Sequence, residues 1–497
     1  MSDHKTLLEI ARATGTVPDL PRGHFIDGGF VASADGREME SDDPGSAKPF
    51  ATFARGGAND VAAAMENAAG AFEQVWRDTP PAERGRILMR ASQGLKDNAE
   101  RLAVVECLDS GKPYSEALGD VNGAARAFEY YAGACDKLQG DTFPLGPDYL
   151  GYSFHEPVGV TAHILPWNFP ISTAARGIAP ALAAGCAVVA KPAEQTPFTA
   201  LLLAEILSQA GLPDGICNVV TGTGAEAGQA LVAHPLVNHI TFTGSVPTGQ
   251  NVMRTAADNV TRLVLELGGK SPVVVMADSD LDRAVDGVLG AIYENAGQIC
   301  SAGSRLVVET SIHDEMVERL CKRTEALTIG HGLTDPQVGP VNSARQLERI
   351  AGFIDRAQGR GVEMATGGRT TADPKTGAGW FFQPTIAVGL GADDELVQQE
   401  IFGPVLAVQK ADDAEHAIAL ANATEYALVA GIYTGDFGTA HRMARRIDAG
   451  QVYINEYFAD GIEVPFGGNR KSGFGREKGL EGLLSYCRTK SVAGRIA

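Results

Sequence analysis

The chain has 497 residues, 44% hydrophobic and 21% charged, the profile of a soluble globular protein with roughly two to four domains. Its net charge of −19 argues against nucleic acid or an anionic membrane as the main partner. Seven cysteines, none in CxxC spacing, argue against a disulfide framework or a zinc site and fit a reducing, cytoplasmic compartment.

The opening MSDHKTLLEIARATG lacks a long apolar run, so no signal peptide is expected. The most apolar stretch, Gly177 to Ala190, is too short and too interrupted by proline and glycine to span a bilayer. Residues 1–50 read as a lead-in with an edge hairpin at Gly23 to Ser33. Residues 58–137 are helical in pattern, with Asn59 and Ser115 as N-caps. Residues 138–156 switch to a strand-like stretch punctuated by Gly140, Pro144 and Pro147. It is either a surface hairpin or an arm that pairs with another subunit.

From Pro157 strands alternate with helices, the mark of a parallel sheet with crossovers. This first unit closes at about residue 267 and reads as a nucleotide-binding α/β domain. A second α/β region runs to Gly468, and the tail after Cys487 reads as a last strand leaving the core. No Gly-x-Gly-x-x-Gly is present. TGTGAEAG, Thr221 to Gly228, has the wrong spacing and either touches a phosphate or merely turns the chain. In FTGSVPTG a strand ends at Gly244, Ser245 can cap, and a helix starts near Val246. That helix start suits a diphosphate, or is ordinary capping. Lys191 and Glu194 lie at the carboxyl end of another strand, where open parallel sheets bind ligands. They are either a solvated pair or contacts to a ribose. A carboxylate there accepts from both ribose hydroxyls and repels a 2′-phosphate, favouring NAD over NADP.

Cys300 lies in ENAGQICSAGSR, between a predicted helix over Asp280 to Asn295, stopped by Gly297, and a strand from Ser304 to Glu309. A thiolate gains from a helix N-terminus, and Cys300 follows a C-terminus. Its proton must therefore be handled elsewhere. Glu266, beside paired glycines at the junction of the two units, is a candidate buried general base. Asn168, between prolines and aromatics in LPWNFP, can present an amide N–H₂ to an oxyanion. Singly, each is as well read as a structural polar group, and a lone cysteine as a small buried hydrophobe.

Asn168, Lys191, Glu194, Gly244 with Ser245, Glu266, Cys300, the EIFGP run from Glu400 and the PFGG run from Pro465 follow one order over most of the chain. Together they resemble the aldehyde dehydrogenase superfamily. The resemblance implies an NAD-binding domain (1–137 and 157–267), a catalytic domain (268–468) and an oligomerisation segment (138–156 and 484–497), assembled as a homodimer or homotetramer. It implies Cys300 as nucleophile, Asn168 with the Cys300 N–H as oxyanion donors, and Glu266 as the base that activates water. Trp167 and Ser245 are implied at the pyrophosphate, Lys191 and Glu194 at the adenine ribose. Glu400, Phe402 and Gln346 are implied at the nicotinamide side, and Glu477 beside the base. The cofactor expected is NAD, with no metal.

The implied substrate contacts are Phe169, Arg176, Tyr457 and Phe458. An arginine at 176 is similar to succinate-semialdehyde and some aromatic-aldehyde dehydrogenases. Guanidinium there either grips a carboxylate, sulfonate or ring, or pairs with an acid such as Glu294. Glu294 stands where the semialdehyde enzymes tend to carry a second positive or polar group, Glu194 departs from their NADP-type serine pattern, and Asp460 and Glu463 would not welcome an anion. Betaine- or aminoaldehyde dehydrogenase, a CoA-acylating enzyme and a non-enzymatic structural relative stand as alternatives. Glu266 favours hydrolysis over transfer to CoA.

Overall fold

The computed structural model describes residues 6–459 and 461–497. Two α/β layers and one antiparallel arm make up the molecule. The first sheet has eight strands, in the order Gly29–Val31, His24–Ile26, Cys217–Val219, Ala187–Lys191, Val160–Ile164, His239–Thr243, Arg262–Glu266 and Gly473–Phe474. The five central strands are parallel. Every residue of Ala187–Lys191 is buried, as expected where helices cover both faces. The covering helices include Pro170–Ala184 and Phe198–Gln209, themselves largely buried.

From Val160–Ile164 the chain builds outward to Ala187–Lys191 and Cys217–Val219, then returns to place His239–Thr243 on the other side. That reversal opens a crevice at the carboxyl ends of these strands, the place where open sheets bind ligands. Leu165 to Asn168 follow one of the flanking strands, and Gly244 and Ser245 follow the other.

The second sheet has seven strands, in the order Glu363–Thr366, Thr385–Val388, Val405–Ala411, Arg305–Glu309, Pro272–Val275, Val429–Tyr433 and Gln451–Ile454. All but the first pair parallel to their neighbours. The chain enters this sheet directly from Glu266 through Gly268 and Gly269. A methyl group at Gly268 would lie 2.3 Å from a Glu400 carboxylate oxygen, and one at Gly269 would lie 2.3 Å from the Cys300 carbonyl oxygen. Two glycines are thus what lets the backbone pass between those residues. The C-terminal part returns to the first sheet, where Gly473 pairs with Glu266. This brings Gly467 against the Glu266 side chain.

The arm consists of Thr142–Phe143, Tyr149–Pro157 and Cys487–Arg495, all antiparallel. Phe143, Leu145, Leu150, Tyr152 and Phe154 are exposed on it. The N-cap expectations are corrected. Gly57 precedes Ala58–Ala71, because Asp60 accepts the Gly57 N–H at 2.8 Å and closes the helix start two residues ahead of Asn59. Pro113 precedes Tyr114–Ala134, which puts Ser115 inside the first turn. No helix among the described residues is long and apolar enough to cross a membrane.

Candidate active site

The helix Leu281–Tyr293 stops earlier than the position of Gly297 suggests. Asn295 (φ 48°), Ala296 (φ 53°) and Gly297 (φ 72°) are all left-handed. For the two non-glycine residues this costs on the order of 1–3 kcal/mol each, so surrounding contacts must impose it. Those contacts are present. The Asn295 N–H donates to Glu116 at 3.0 Å, and the Asn295 side chain donates to the Asn168 carbonyl at 3.0 Å. The Gln298 side chain donates to the Asn295 carbonyl at 2.9 Å and accepts the Asn342 N–H at 2.8 Å. A methyl group on Gly297 would meet the Gly403 carbonyl at 2.2 Å. The turned loop delivers Cys300 to the meeting point of two cavities.

One cavity, of about 350 Å³, is the crevice of the first sheet. Lys191 and Glu194 stand at one end, with Nζ and carboxylate 3.2 Å apart. Gly244 and Ser245 stand at the start of the helix Val246–Ala257. The Ser245 hydroxyl bonds Thr248 Oγ1 at 2.9 Å and makes no cap to a backbone N–H. At the other end Glu400 accepts the Gly269 N–H at 2.9 Å. Phe402, left-handed at φ 61°, meets the Trp167 ring edge-on at 5.2 Å between centroids. Gln346 holds that turn by donating to the carbonyls of Ile401 and Phe402 at 3.1 and 2.8 Å.

The second cavity, of about 190 Å³, is lined by Phe169, Arg176, Glu294, Tyr453, Phe458 and Phe466, among others. Asn168 and Cys300 line both cavities, and Glu266 lines the first. Asn168 is buried, and its amide donates to the Gln298 carbonyl at 2.8 Å, which ties it to the Cys300 loop.

Burial dominates the electrostatics. It pushes the Cys300 thiol up to about 12, the Arg176 charge opposing. It pushes Glu266 well above the usual carboxylate range, with Glu477 adding to the effect and Arg176 opposing it. Neither Glu266 oxygen has a hydrogen-bond partner among the described residues. Glu400 is pushed up to about 7 by burial. The Lys191 ammonium is lowered by burial, against the pull of Glu194. These are shifts of the kind found where proton transfer is performed.

The aldehyde dehydrogenase family model matches residues 30–492. The chain belongs to that family. An aldehyde dehydrogenase of Aspergillus niger is 40% identical over 489 residues, 98% of each chain. A betaine aldehyde dehydrogenase of Bacillus subtilis is 38% identical over 472 residues, covering 94% of this chain and 96% of that protein. Among solved structures, an NAD⁺ complex of a Bacillus cereus aldehyde dehydrogenase superposes with a TM-score of 0.94 at 38% identity, covering 96% and 97% of the two chains. The NAD⁺ complex of a Staphylococcus aureus betaine aldehyde dehydrogenase gives 0.95 at 35%, covering 99% and 97%. The α/β fold and the enzyme class are those of aldehyde dehydrogenases.

Within this family member the expected substrate contacts divide. Phe169 and Phe458 face the smaller cavity. Tyr457 does not. It is buried against Gly303 and Gly431 and donates to the Ser301 carbonyl at 2.9 Å. Tyr453, which the sequence reading passed over, lines the cavity instead. Arg176 lines it too, but its guanidinium pairs with Glu477 at 3.1 Å, not with Glu294, and lies 5.4 Å from the Phe466 ring centre. Glu463 turns outward to Arg126, and Asp460 lies outside the described residues. Of TGTGAEAG, Glu226 pairs with Arg55 at 3.0 Å, and no residue of the run lines the crevice.

Sequence reasoning also missed Asn295, Gln298 and a largely buried trio. Lys112 is fully buried. Its ammonium pairs with Asp120 and, at 3.4 Å, with Glu106, and lies 4.1 Å from the Phe169 ring centre. Nothing in the local sequence SGKP hints at this; only the fold brings Phe169 over Lys112. A larger cavity, about 910 Å³, lies at the foot of the arm beside Arg77, Phe154 and Arg488 and contains none of the expected site residues.

Proposed function

We propose that the chain oxidises a small aldehyde to its carboxylic acid with NAD, through a covalent adduct on Cys300. One observation carries this: a thiol, an amide donor and a buried carboxylate share one crevice, with Asn168 and the Cys300 loop hydrogen-bonded to each other.

The crevice fits the dinucleotide on its own chemistry. The backbone at Gly268 lies so close to Glu400 that no side chain could intervene, which leaves that carboxylate facing a groove. Lys191 and Glu194 would hold the adenine ribose, Ser245 and Trp167 the pyrophosphate, and Glu400 with Phe402 and Gln346 the nicotinamide side. Glu194 supports NAD over NADP by repelling a 2′-phosphate. Bound NAD supplies the acceptor for the hydride that leaves the adduct.

The Cys300 thiolate attacks the aldehyde carbon. Asn168 Nδ2 and the Cys300 N–H donate to the oxyanion, each such donor contributing about 10²–10³ in rate. Loss of hydride from the former aldehyde carbon leaves a thioester on Cys300. Glu266 takes a proton from water, which attacks the thioester and frees the acid and the thiol. Glu266 supports hydrolysis over transfer to CoA. The apolar side chains on the arm support a homodimer or homotetramer.

The test is NADH formation from an aldehyde panel, with and without CoA, in wild type and Cys300→Ala. The variant is expected to bind NAD and make no NADH. Turnover surviving in it overturns the mechanism, and strict dependence on CoA overturns the hydrolytic step.

A further inference from the structure

We infer that Glu294 makes this enzyme selective for aldehydes that carry a cationic group, such as an ammonium a few bonds from the carbonyl. The inference rests on the oxidation proposed above and names its substrate class.

The charges around the aldehyde cavity are accounted for one by one. Asp120 is tied to Lys112 and Arg176 to Glu477. The Lys478 ammonium lies 5.4 Å from the Phe466 ring centre. Glu116, behind the loop, accepts the Asn295 N–H. Glu294 differs from these. It lines the cavity that Cys300 also lines, yet its carboxylate makes no hydrogen bond or ion pair among the described residues.

Its position is fixed independently of any such partner. Glu294 directly follows the helix Leu281–Tyr293 and directly precedes the left-handed turn clamped by Asn295 and Gln298. Its backbone, six residues before the nucleophile, is therefore tied to a clamped turn. Burial raises its affinity for a proton, with Asp120 adding to the effect and the Lys112 ammonium opposing it, so a cation arriving beside it meets an incompletely satisfied acceptor.

The remaining wall suits the same ligand. Phe458, Phe466 and Tyr453 present rings to the cavity, and ring faces attract ammonium groups. Phe169 already lies against an ammonium, that of Lys112. A carboxylate-bearing aldehyde would instead have to pass Glu294 while the Arg176 guanidinium is held by Glu477.

The experiment compares two aldehydes of one shape, trimethylammonio-acetaldehyde and its uncharged isostere 3,3-dimethylbutanal, in wild type and Glu294→Gln. The readout is the ratio of their kcat/KM values, which is insensitive to the fraction of a sample that is folded. A contact to a charged group predicts that the ratio favours the cation in wild type and falls roughly 10- to 100-fold in the variant. A wild-type ratio near unity, or a ratio that the substitution leaves within about threefold, overturns the selectivity while leaving the oxidation standing. If neither aldehyde, nor any other in the panel, yields NADH, the catalytic reading fails and takes this one with it.

Discussion

Arg176 is where substrate recognition and structural support give opposite results on substitution. Consider Arg176→Gln. The guanidinium is 18% exposed and its partner Glu477 only 3%. Breaking a fully buried pair by removing one member costs about 3–5 kcal/mol, because the other charge is left without compensation. Partial exposure of Arg176 lowers this, and loss of its contact with the Phe466 ring adds a fraction, so the expected destabilisation is about 2–4 kcal/mol. Denaturant unfolding at fixed protein concentration measures it. Glu477→Gln added to Arg176→Gln is expected to restore part of the loss, since no carboxylate then stays buried beside Glu266. The same guanidinium also opposes the upward shifts of Cys300 and Glu266. Its removal should therefore lower turnover of neutral, cationic and anionic aldehydes alike at pH 7.5 and move the pH dependence to higher pH. Unchanged stability, together with a loss confined to carboxylate- or sulfonate-bearing aldehydes, would refute this reasoning and make Arg176 a substrate anchor.

Two further outcomes follow from the site. Cys300 is pushed up to about 12 and Glu266 well above its usual range, and both act in the deprotonated form, so each is disabled as pH falls. The kcat/KM for a neutral aldehyde should rise from pH 7 to pH 9.5, and a profile flat over that interval contradicts the assignment. At Gly268, alanine would place its methyl 2.3 Å from a Glu400 oxygen. Equilibrium titration of Gly268→Ala should show NAD affinity weakened about 10- to 100-fold. Alkylation of Cys300 should persist, and unchanged affinity would remove Glu400 from the cofactor site.

Much of the architecture was legible because it rests on local rules. Parallel strands buried on both faces read as apolar runs such as Ala187–Lys191, and crossovers read as helices between them. The ends of those strands then mark the ligand crevice, so Asn168, Gly244 and Glu266 could be placed from order alone. The helix before Cys300 was harder. The sequence reading carries it to Asn295 with Gly297 as the stop, while the structure ends it at Tyr293. The left-handed turn is imposed by Asn168 and Glu116, 127 and 179 residues away, and no local preference announces it.

Side-chain direction was the least legible feature, and it bears most on specificity. Tyr457 and Phe458 are adjacent in the loop, and both were reasonable candidates for the tunnel wall. A left-handed Phe458 (φ 60°) separates them: its ring faces the cavity, while Tyr457 packs into the core. Arg176 and Glu294 carry the same lesson for charge. Each was expected near the substrate, and both line its cavity. What distinguishes them is the partner the fold supplies. Glu477, 301 residues beyond Arg176, engages the guanidinium, whereas Glu294 makes no hydrogen bond or ion pair among the described residues and feels only the Lys112 ammonium, itself paired with Asp120 and Glu106. A charge already paired within the protein gains little from a ligand, and one without a direct partner gains more from a new contact. On the selectivity inferred above, the discriminating charge in this cavity is the carboxylate, although the arginine is the residue that sequence comparison brings forward first.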